Sequence, residues 1–187
     1  MRPQKILDQD LLIALSKVFR SKGYEGASLK ELAEATGLQK ASLYHRFPKG
    51  KQEMAESVLK HMAKWVEDNI LAALNNESDS LELRLKNGLA HVRTLYDGGK
   101  ETCIFRAFSM ETGLDLFEES INEGLKEWKN TFTQLGISAN LTPEKANKNA
   151  IQTLIEIQGS LILTKALNDT NVFDNTLLNI EKRYLNT

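Results

Sequence analysis

The segment from Gly23 to Phe47, which reads GYEGASLKELAEATGLQKASLYHRF, constrains the fold more than any other part of the chain. Ser28 precedes an apolar helical pattern and Glu31 follows it by three residues, which is the spacing of a capping box at a helix N-terminus. Gly37 stands after this pattern, where glycine commonly ends a helix because it adopts a positive φ without steric cost. The segment therefore predicts a short helix, a tight turn and a second short helix.

The second of these short helices is predicted to be apolar on one side only. Leu43 and Phe47 lie four positions apart, so both can anchor the helix to a core. The side chains left to face outward are cationic or hydrogen-bonding groups, namely Lys40, Ser42, Tyr44, His45 and Arg46. Two helices joined by a short turn, the second one carrying such groups, are the layout of a DNA-reading helix-turn-helix.

At this segment the sequence resembles the tetracycline-repressor (TetR) family of transcriptional regulators. The matching pieces are GYEGAS, LKELAEATGL and KASLYHRFP, followed by Gly50, Lys51 and Met54, and together with the preceding helix they cover about residues 11–57. The resemblance implies an all-α fold with an N-terminal three-helix DNA-binding domain, residues 1–50, and a C-terminal helical bundle for ligand binding and dimerisation, residues 51–187. It also implies that the partners are double-stranded operator DNA, a second copy of the chain and a small-molecule inducer.

The resemblance indicates which residues would contact DNA. Tyr44 and Lys51 match the tyrosine and the lysine with which the family holds the phosphate backbone, and Ser28 lies at a helix N-terminus, which favours an anion. Two positions depart from the family pattern, because Gln39 replaces a small capping hydroxyl and Ala41 stands where glycine is common. The full predicted set is Ser28, Gln39, Lys40, Ala41, Ser42, Tyr44, His45 and Lys51.

Helical spacing continues through the rest of the chain, and no strand pattern of any length interrupts it. Besides the two motif helices, the sequence predicts helices near residues 8–22, 51–74, 81–96, 102–113, 114–136, 143–167 and 172–184. Gly23 is expected to end the first helix, and Thr142 with Pro143 is expected to open the second-last one.

The predicted helix near residues 143–167 has two apolar stripes. One stripe consists of Ala150, Leu154, Ile157 and Leu161, and the other of Ile151, Ile155, Gln158 and Ile162. A helix that is apolar on two faces must be covered on both. One face is therefore expected to pack in its own subunit and the other against a second copy, which makes a two-fold symmetric dimer. The alternative is a central, fully buried helix in a monomer.

The C-terminal region offers side chains for the ligand pocket that the resemblance implies. The candidates are large apolar groups and polar groups on apolar helix faces, namely Met62, Trp65, His91, Phe105, Phe108, Met110, Phe117, Trp128 and Gln158. Such side chains suit a flat or hydrophobic ligand. The same residue types at helical spacing are also typical of an ordinary core.

Composition argues against several other classes of protein. No apolar run is long enough to cross a membrane, the N-terminus lacks the apolar region of a secretory signal, and a lone cysteine, Cys103, fits a reducing cytoplasm. Zinc-ligand spacing, a phosphate-cradling glycine loop and a nucleophile motif are all missing, so we expect no enzyme, metal or cofactor. Residues 1–66 hold 12 Lys/Arg against 7 Asp/Glu and residues 67–187 hold 12 against 18, which suits DNA contact by the N-terminal part.

These features favour a cytoplasmic repressor that binds a palindromic operator and is released by a small molecule. Two alternatives stay open at this point. In the first, the C-terminal domain is a protein-interaction module without a small-molecule inducer. In the second, the protein is an enzyme or carrier with an incidental helix-turn-helix.

Overall fold

The computed structural model describes residues 8–185 of the 187-residue chain, and every regular element within them is helical. The elements are α1 (Asp8–Gly26), α2 (Leu29–Thr36), α3 (Lys40–Arg46), α4 (Lys51–Val66), a π-helical segment (Glu67–Leu71), α5 (Ala72–Asn75), α6 (Leu81–Leu95), a 3-10 turn (Asp97–Gly99), α7 (Ile104–Phe108), α8 (Glu111–Ser138), α9 (Pro143–Leu167) and α10 (Asn171–Leu185). The predicted all-α fold is confirmed. None of these helices is long and apolar enough to cross a membrane.

Several predicted helix ends are confirmed by the backbone. Gly37 adopts a φ of 66° directly after α2, in the left-handed region. Thr142 caps the N-terminus of α9 with its side chain, and Pro143 occupies the first turn. Gly23 interrupts α1 with a φ of 73° and a ψ of 178°, although one further turn follows it.

The helix predicted near residues 51–74 extends from Lys51 to Asn75, but it contains a π-helical turn that the sequence did not predict. After Val66 the chain widens into the π-helical segment, and α5 then continues to Asn75. The side-chain amide of Asn69, within this segment, donates a 2.8 Å hydrogen bond to the Trp65 backbone carbonyl. The apolar spacing of the sequence does not reveal this change, because a π turn inserts a single residue into an otherwise helical pattern.

The long helix α8 begins before the predicted residue 114 and ends after the predicted residue 136. Its first turn is held by the Glu25 carboxylate, which accepts the Gly113 N–H at 2.7 Å and places negative charge at the helix N-terminus. Gly136 stays inside the helix instead of ending it, and α9 approaches closely at this glycine. A Cβ on Gly136 would lie 3.0 Å from the Cβ of Ala146. The short helix predicted near residues 102–113 is confined to α7.

Contacts divide the described chain into two compact units, of which the first contains residues 8–64 and 104–121. In this unit α1 packs against α2 and α7. The Phe108 ring lies 5.3 Å from that of Phe19, 6.1 Å from that of Tyr24 and 5.0 Å from that of Phe117, measured between centroids. Aromatic pairs in these geometries stabilise a core beyond their buried area, so this cluster is the core beneath the predicted DNA-binding motif.

The second unit contains residues 65–103 and 122–185. In it α10 packs along α9 and α6, and α6 also packs against the π-helical segment and α5. Phe132 and Tyr184 are fully buried with their ring centroids 6.0 Å apart. This grouping by contacts is not a test of the functional boundary expected after residue 50, which stays a prediction.

We expect Ser28→Ala to lower the free energy of unfolding by about 1 kcal/mol, because it removes a helix N-cap. The Ser28 hydroxyl accepts the Glu31 N–H at 3.2 Å, and the Glu31 carboxylate accepts the Ser28 N–H at 3.0 Å. Chemical denaturation of the two proteins measures the difference. Ser21→Ala, on the exposed side of α1, is the matched control, and an equal loss in both variants would contradict the capping role.

The pH dependence of this effect follows from the Glu31 carboxyl. Hydrogen bonds from the Ser28 hydroxyl and N–H, with a smaller contribution from Lys22, hold the pKa of Glu31 below its ordinary value. A lowered folded-state pKa means that the stabilisation is present above the carboxyl's ordinary pKa and is lost as the pH falls through the folded-state pKa. The difference between Ser28→Ala and the parent should therefore shrink in acid.

Candidate DNA-binding interface

The helix-turn-helix is built by local hydrogen bonds around the turn at Gly37. The Leu38 N–H donates to the Ala33 carbonyl at 3.2 Å, which closes the C-terminus of α2. Two residues later α3 begins, with Gln39 in an extended conformation as its N-cap. The Gln39 side chain makes no capping hydrogen bond and is exposed. The departure from the usual capping hydroxyl therefore leaves an amide side chain open to solvent at the start of the helix.

The predicted two-sided character of α3 is confirmed. Leu43 is 0% exposed and Phe47 is 8% exposed, so both anchor the helix in the first unit. The opposite side carries the predicted DNA-contacting residues of this helix, of which Lys40, Ala41, Tyr44 and His45 are exposed and Ser42 is half-buried. The structure thus presents these side chains together on one surface.

Tyr44 is held against the turn that follows α3. A Cβ on Gly50 would lie 3.2 Å from the Tyr44 ring at Cε1, and Gly50 has a φ of +69°. A side chain at position 50 would therefore be strained and would press on the ring. The ring is supported on one side while 46% of the residue stays exposed, which orients the phenol without burying it.

Arg46 differs from its neighbours on α3 because it forms an ion pair within the protein. Its Nη1 lies 3.2 Å from the Asp8 carboxylate at the start of α1. A cavity of about 510 Å³ lies beside this pair, lined by Asp8, Leu11, Leu12, His45, Arg46, Phe47 and Ser57. This pairing gives Arg46 a structural contact and agrees with its omission from the predicted DNA-contacting set.

Lys51 makes contacts that the sequence did not predict. Its ammonium group donates to the Tyr24 carbonyl at 2.9 Å and to the Glu25 carbonyl at 3.4 Å, and it lies 4.5 Å from the centre of the Tyr24 ring. A cation at the last carbonyls of a helix is favoured by the helix dipole. Lys51 therefore ties α4 to the end of α1, and its expected phosphate contact stays a prediction beside this role. More than 25 residues separate the partners, so no local sequence signal reveals it.

The Ser28 hydroxyl also forms hydrogen bonds within the protein. It donates to the Glu31 carboxylate at 2.8 Å and accepts the N–H of the same residue. A phosphate contact by this hydroxyl would have to replace the bond to a carboxylate. The capping role is confirmed, and the phosphate contact stays a prediction.

The predicted ligand-binding residues fall into both units. Five of them lie in the first unit, namely Met62, Phe105, Phe108, Met110 and Phe117, and the other four lie in the second. Phe108 and Phe117 are 0% and 2% exposed inside the aromatic cluster, so the structure accounts for them as core. Met110 is 63% exposed, and its ligand contact stays a prediction. It stands in the break between α7 and α8, where helical spacing no longer applies.

The four candidates in the second unit lie on three different helices and the end of α4. Trp65 contacts His91 edge to face, with ring centroids 6.3 Å apart. Trp128 is 6% exposed and packs beside Phe132, and Gln158 is half-buried on α9. An open cleft of about 570 Å³ in this unit is lined by none of them. Their ligand contacts stay predictions.

The two apolar stripes of α9 have different environments. Ala150, Ile157 and Leu161 of the first stripe are buried. The second stripe is exposed and is extended by further apolar residues, so that the exposed α9 face comprises Ile151, Ile155, Ile162, Leu163 and Leu167 at 43% to 65% exposure. Gly159 lies among them, and a Cβ there would meet no atom within 4 Å. The exposed α9 face is therefore an apolar surface with open space above its glycine.

Comparison with known proteins assigns the motif to a family. The family model described as bacterial regulatory proteins, tetR family, matches residues 11–58. The protein named uncharacterized HTH-type transcriptional regulator YxaF, from Bacillus subtilis (strain 168), is 25% identical over 162 residues, which are 83% of this chain and 83% of that protein.

Solved structures show the same fold. A TetR transcriptional regulator from Legionella pneumophila aligns with a TM-score of 0.77 at 19% identity, over 98% of this chain and 99% of that one. A cysteine mutant of the TetR family transcriptional regulator CifR, complexed with 26-bp double-strand operator DNA, aligns with a TM-score of 0.70 at 19% identity, over 100% of this chain and 99% of that one. The shared fold thus extends over both units and not only over the matched motif.

Proposed function

We propose that this chain, whose helix-turn-helix matches the TetR family of bacterial regulatory proteins, is a repressor that binds a palindromic operator as a homodimer and is released by a small hydrophobic or aromatic molecule. The family and its relatives are regulators of transcription and not enzymes. The observation that carries the proposal is the exposed polar side of α3 on a helix anchored by Leu43 and Phe47. We place the protein in the cytoplasm, where its DNA target lies.

The dimer in this proposal is supported by the exposed α9 face. Five large aliphatic side chains on one helix are an unusual surface for a monomer, because contiguous exposed apolar patches commonly mark an interface. A second copy related by a two-fold axis would cover the face with the same face. Two recognition helices related by that axis would then read two half-sites about one helical turn apart.

In each half-site we assign the exposed groups of α3 to two tasks. Tyr44, supported by Gly50, and Lys51 would hold the phosphate backbone and so set the register. Gln39, Lys40, Ser42 and His45 would reach base edges, where lysine favours guanine acceptors and glutamine favours adenine. The small side chain of Ala41 would let the helix approach the DNA closely beside them.

Two variants of α3 separate these tasks. We expect Tyr44→Phe to weaken binding to the operator and to unrelated DNA by a similar factor, about three- to tenfold, because a backbone contact carries no base information. We expect Lys40→Ala to weaken operator binding by about 1–3 kcal/mol and to relax the preference at one base pair. Fluorescence anisotropy with both DNAs at two salt concentrations measures these effects.

Lys17→Ala, on an exposed position of α1 away from the motif, is the control for the loss of one positive charge. If it weakened binding as much as Lys40→Ala, the effect would be one of net charge. If Tyr44→Phe left both affinities unchanged, the backbone contact assigned to its hydroxyl would be wrong.

The small-molecule part of the proposal rests on the second unit and on the family. We propose that ligand binding there changes the spacing of the two recognition helices in the dimer, since a coupling of about 1–3 kcal/mol is enough to release an operator. The competing proposal, a protein-interaction module, is favoured by the filled packing around Trp128 and Phe132. An inducer that releases the operator from purified protein decides between the two.

Selection of bound fragments from the source genome by the purified protein tests the regulator directly. We expect it to recover a near-palindromic sequence next to a small number of genes, whose products suggest the inducer. Recovery of DNA without sequence preference would overturn the operator-specific repressor.

A further inference from the structure

The ion pair between Arg46 and Asp8 has one half-buried side and one side in solvent. Arg46 Nη1 lies 3.2 Å from Asp8 Oδ1, and the two side chains are 28% and 92% exposed, respectively. Arg46 also takes part in a further interaction within the protein, so Asp8 is one of its partners and not the only one. Exposed ion pairs contribute little to stability, because water and salt screen the charges. The guanidinium can therefore exchange Asp8 for another anion at small cost.

The position of Arg46 on α3 brings it near the DNA backbone when the helix occupies a major groove. Arg46 lies in the last turn of α3, one turn after Ser42, so the two residues share a side of the helix. A helix of seven residues is about 10 Å long, and the major groove is about 12 Å wide. The end of α3 thus lies within reach of the phosphates that border the groove. Arginine suits this contact because its planar guanidinium binds phosphate through two parallel hydrogen bonds.

Open space adjoins the ion pair on the side away from the core. The cavity of about 510 Å³ is lined by both residues of the pair and also by His45 and Ser57. Among the described residues that line it, Asp8 is the only acid. The guanidinium therefore has room to turn from the carboxylate toward another anion, and within this cavity it is Asp8 that competes with that anion.

We propose that Asp8 limits the affinity of this protein for DNA by pairing with Arg46, and that Arg46 exchanges the Asp8 carboxylate for a backbone phosphate when duplex DNA binds. The proposal rests on the DNA-binding function proposed above and adds a contact outside the set assigned there. Because a phosphate contact carries no sequence information, the exchange affects the operator and unrelated DNA alike. Asp8 therefore lowers the affinity for unrelated DNA without changing which sequence is preferred.

Fluorescence anisotropy of the full-length protein with a duplex of unrelated sequence, at several salt concentrations, tests the exchange. We expect Asp8→Asn to tighten binding about three- to tenfold, since both copies of a dimer lose the competing carboxylate. The matched control is Asp10→Asn, which removes the same charge from another exposed acid in the first turn of α1. It should tighten binding less than twofold.

Two variants of Arg46 identify the group on which Asp8 acts. Arg46→Ala should flatten the dependence of log affinity on log salt by about one for each copy, because one phosphate contact is lost. In this background Asp8→Asn should tighten binding no more than Asp10→Asn does, since the two residues of the pair are coupled. Arg46→Lys keeps the charge and should restore the salt dependence, which a purely structural role of Arg46 would not explain.

Three results would overturn the proposal. The first is equal tightening by Asp8→Asn and Asp10→Asn, which would be an effect of net charge. The second is a full effect of Asp8→Asn in the Arg46→Ala background, and the third is an unchanged salt dependence in Arg46→Ala. The comparison of the two aspartate variants keeps Arg46 in place, so it holds even if Arg46→Ala unfolds. Loss of operator preference in the parent protein would contradict the repressor instead, because these measurements use unrelated DNA.

Discussion

Ile155→Glu is expected to abolish dimerisation and, with it, specific operator binding at concentrations where the parent protein binds. Ile155 is 59% exposed at the middle of the exposed α9 face. In a two-fold dimer both copies carry the substitution, and each would bury an unpaired carboxylate in an apolar contact. A cost on the order of 4 kcal/mol per dimer corresponds to about a thousandfold in the dimer dissociation constant. Analytical ultracentrifugation and DNA binding measure the two losses.

The control for this prediction is Leu83→Glu. Leu83 is 45% exposed on α6, in the same unit but on a different helix, so the same kind of change should leave both the dimer and DNA binding intact. A dimeric Ile155→Glu protein with parental operator affinity would show that the exposed α9 face is not the interface. A monomeric variant with parental affinity would show that the operator is read by one subunit.

Phe108→Ala is expected to lower the free energy of unfolding by about 3–5 kcal/mol, the range for removing a fully buried phenylalanine. Phe108 is 0% exposed and lies within 6.1 Å, centroid to centroid, of Phe19, Tyr24 and Phe117. This cluster is the core of the first unit, so the loss is large although the residue was a candidate ligand contact. Chemical denaturation with a two-state fit measures it.

Phe105→Ala separates the core role from a general effect of removing a ring from α7. Phe105 is half-buried and should cost less than half as much. If Phe108→Ala left the free energy of unfolding nearly unchanged and altered only the response to a ligand, Phe108 would be a ligand contact and not a core residue. A large loss in the free energy of unfolding with an unchanged response to the inducer would show that Phe108 acts as a core residue.

The helix-turn-helix could be predicted because its determinants are close together in sequence. The capping bonds of Ser28 join residues three apart, and the turn is formed by the left-handed conformation of Gly37 and the hydrogen bond from the Leu38 N–H to the Ala33 carbonyl. Leu43 and Phe47 lie on one side of α3 by helical spacing. Local hydrogen bonds and periodicity therefore predicted both the motif and its exposed side.

The ligand candidates were less predictable because an aromatic residue at helical spacing looks the same in a core and in a pocket wall. Phe117 is part of the buried aromatic cluster, whereas Met110 is exposed in the break between α7 and α8. The open cleft of the second unit was not predicted at all, since the residues that line it come from residues 67–75 and 127–131. No spacing rule relates positions so far apart.

By itself, then, the sequence determined the helices, the capped motif, the polar side of α3 and the two stripes of α9, since each depends on interactions within a few residues. Only the tertiary structure decided which stripe of α9 is covered, that Lys51 binds the last carbonyls of α1, and that α4 widens into a π turn beside α8. These features depend on side chains that meet after the chain folds back on itself, where packing and the pairing of buried polar groups choose among arrangements that local propensity leaves equal.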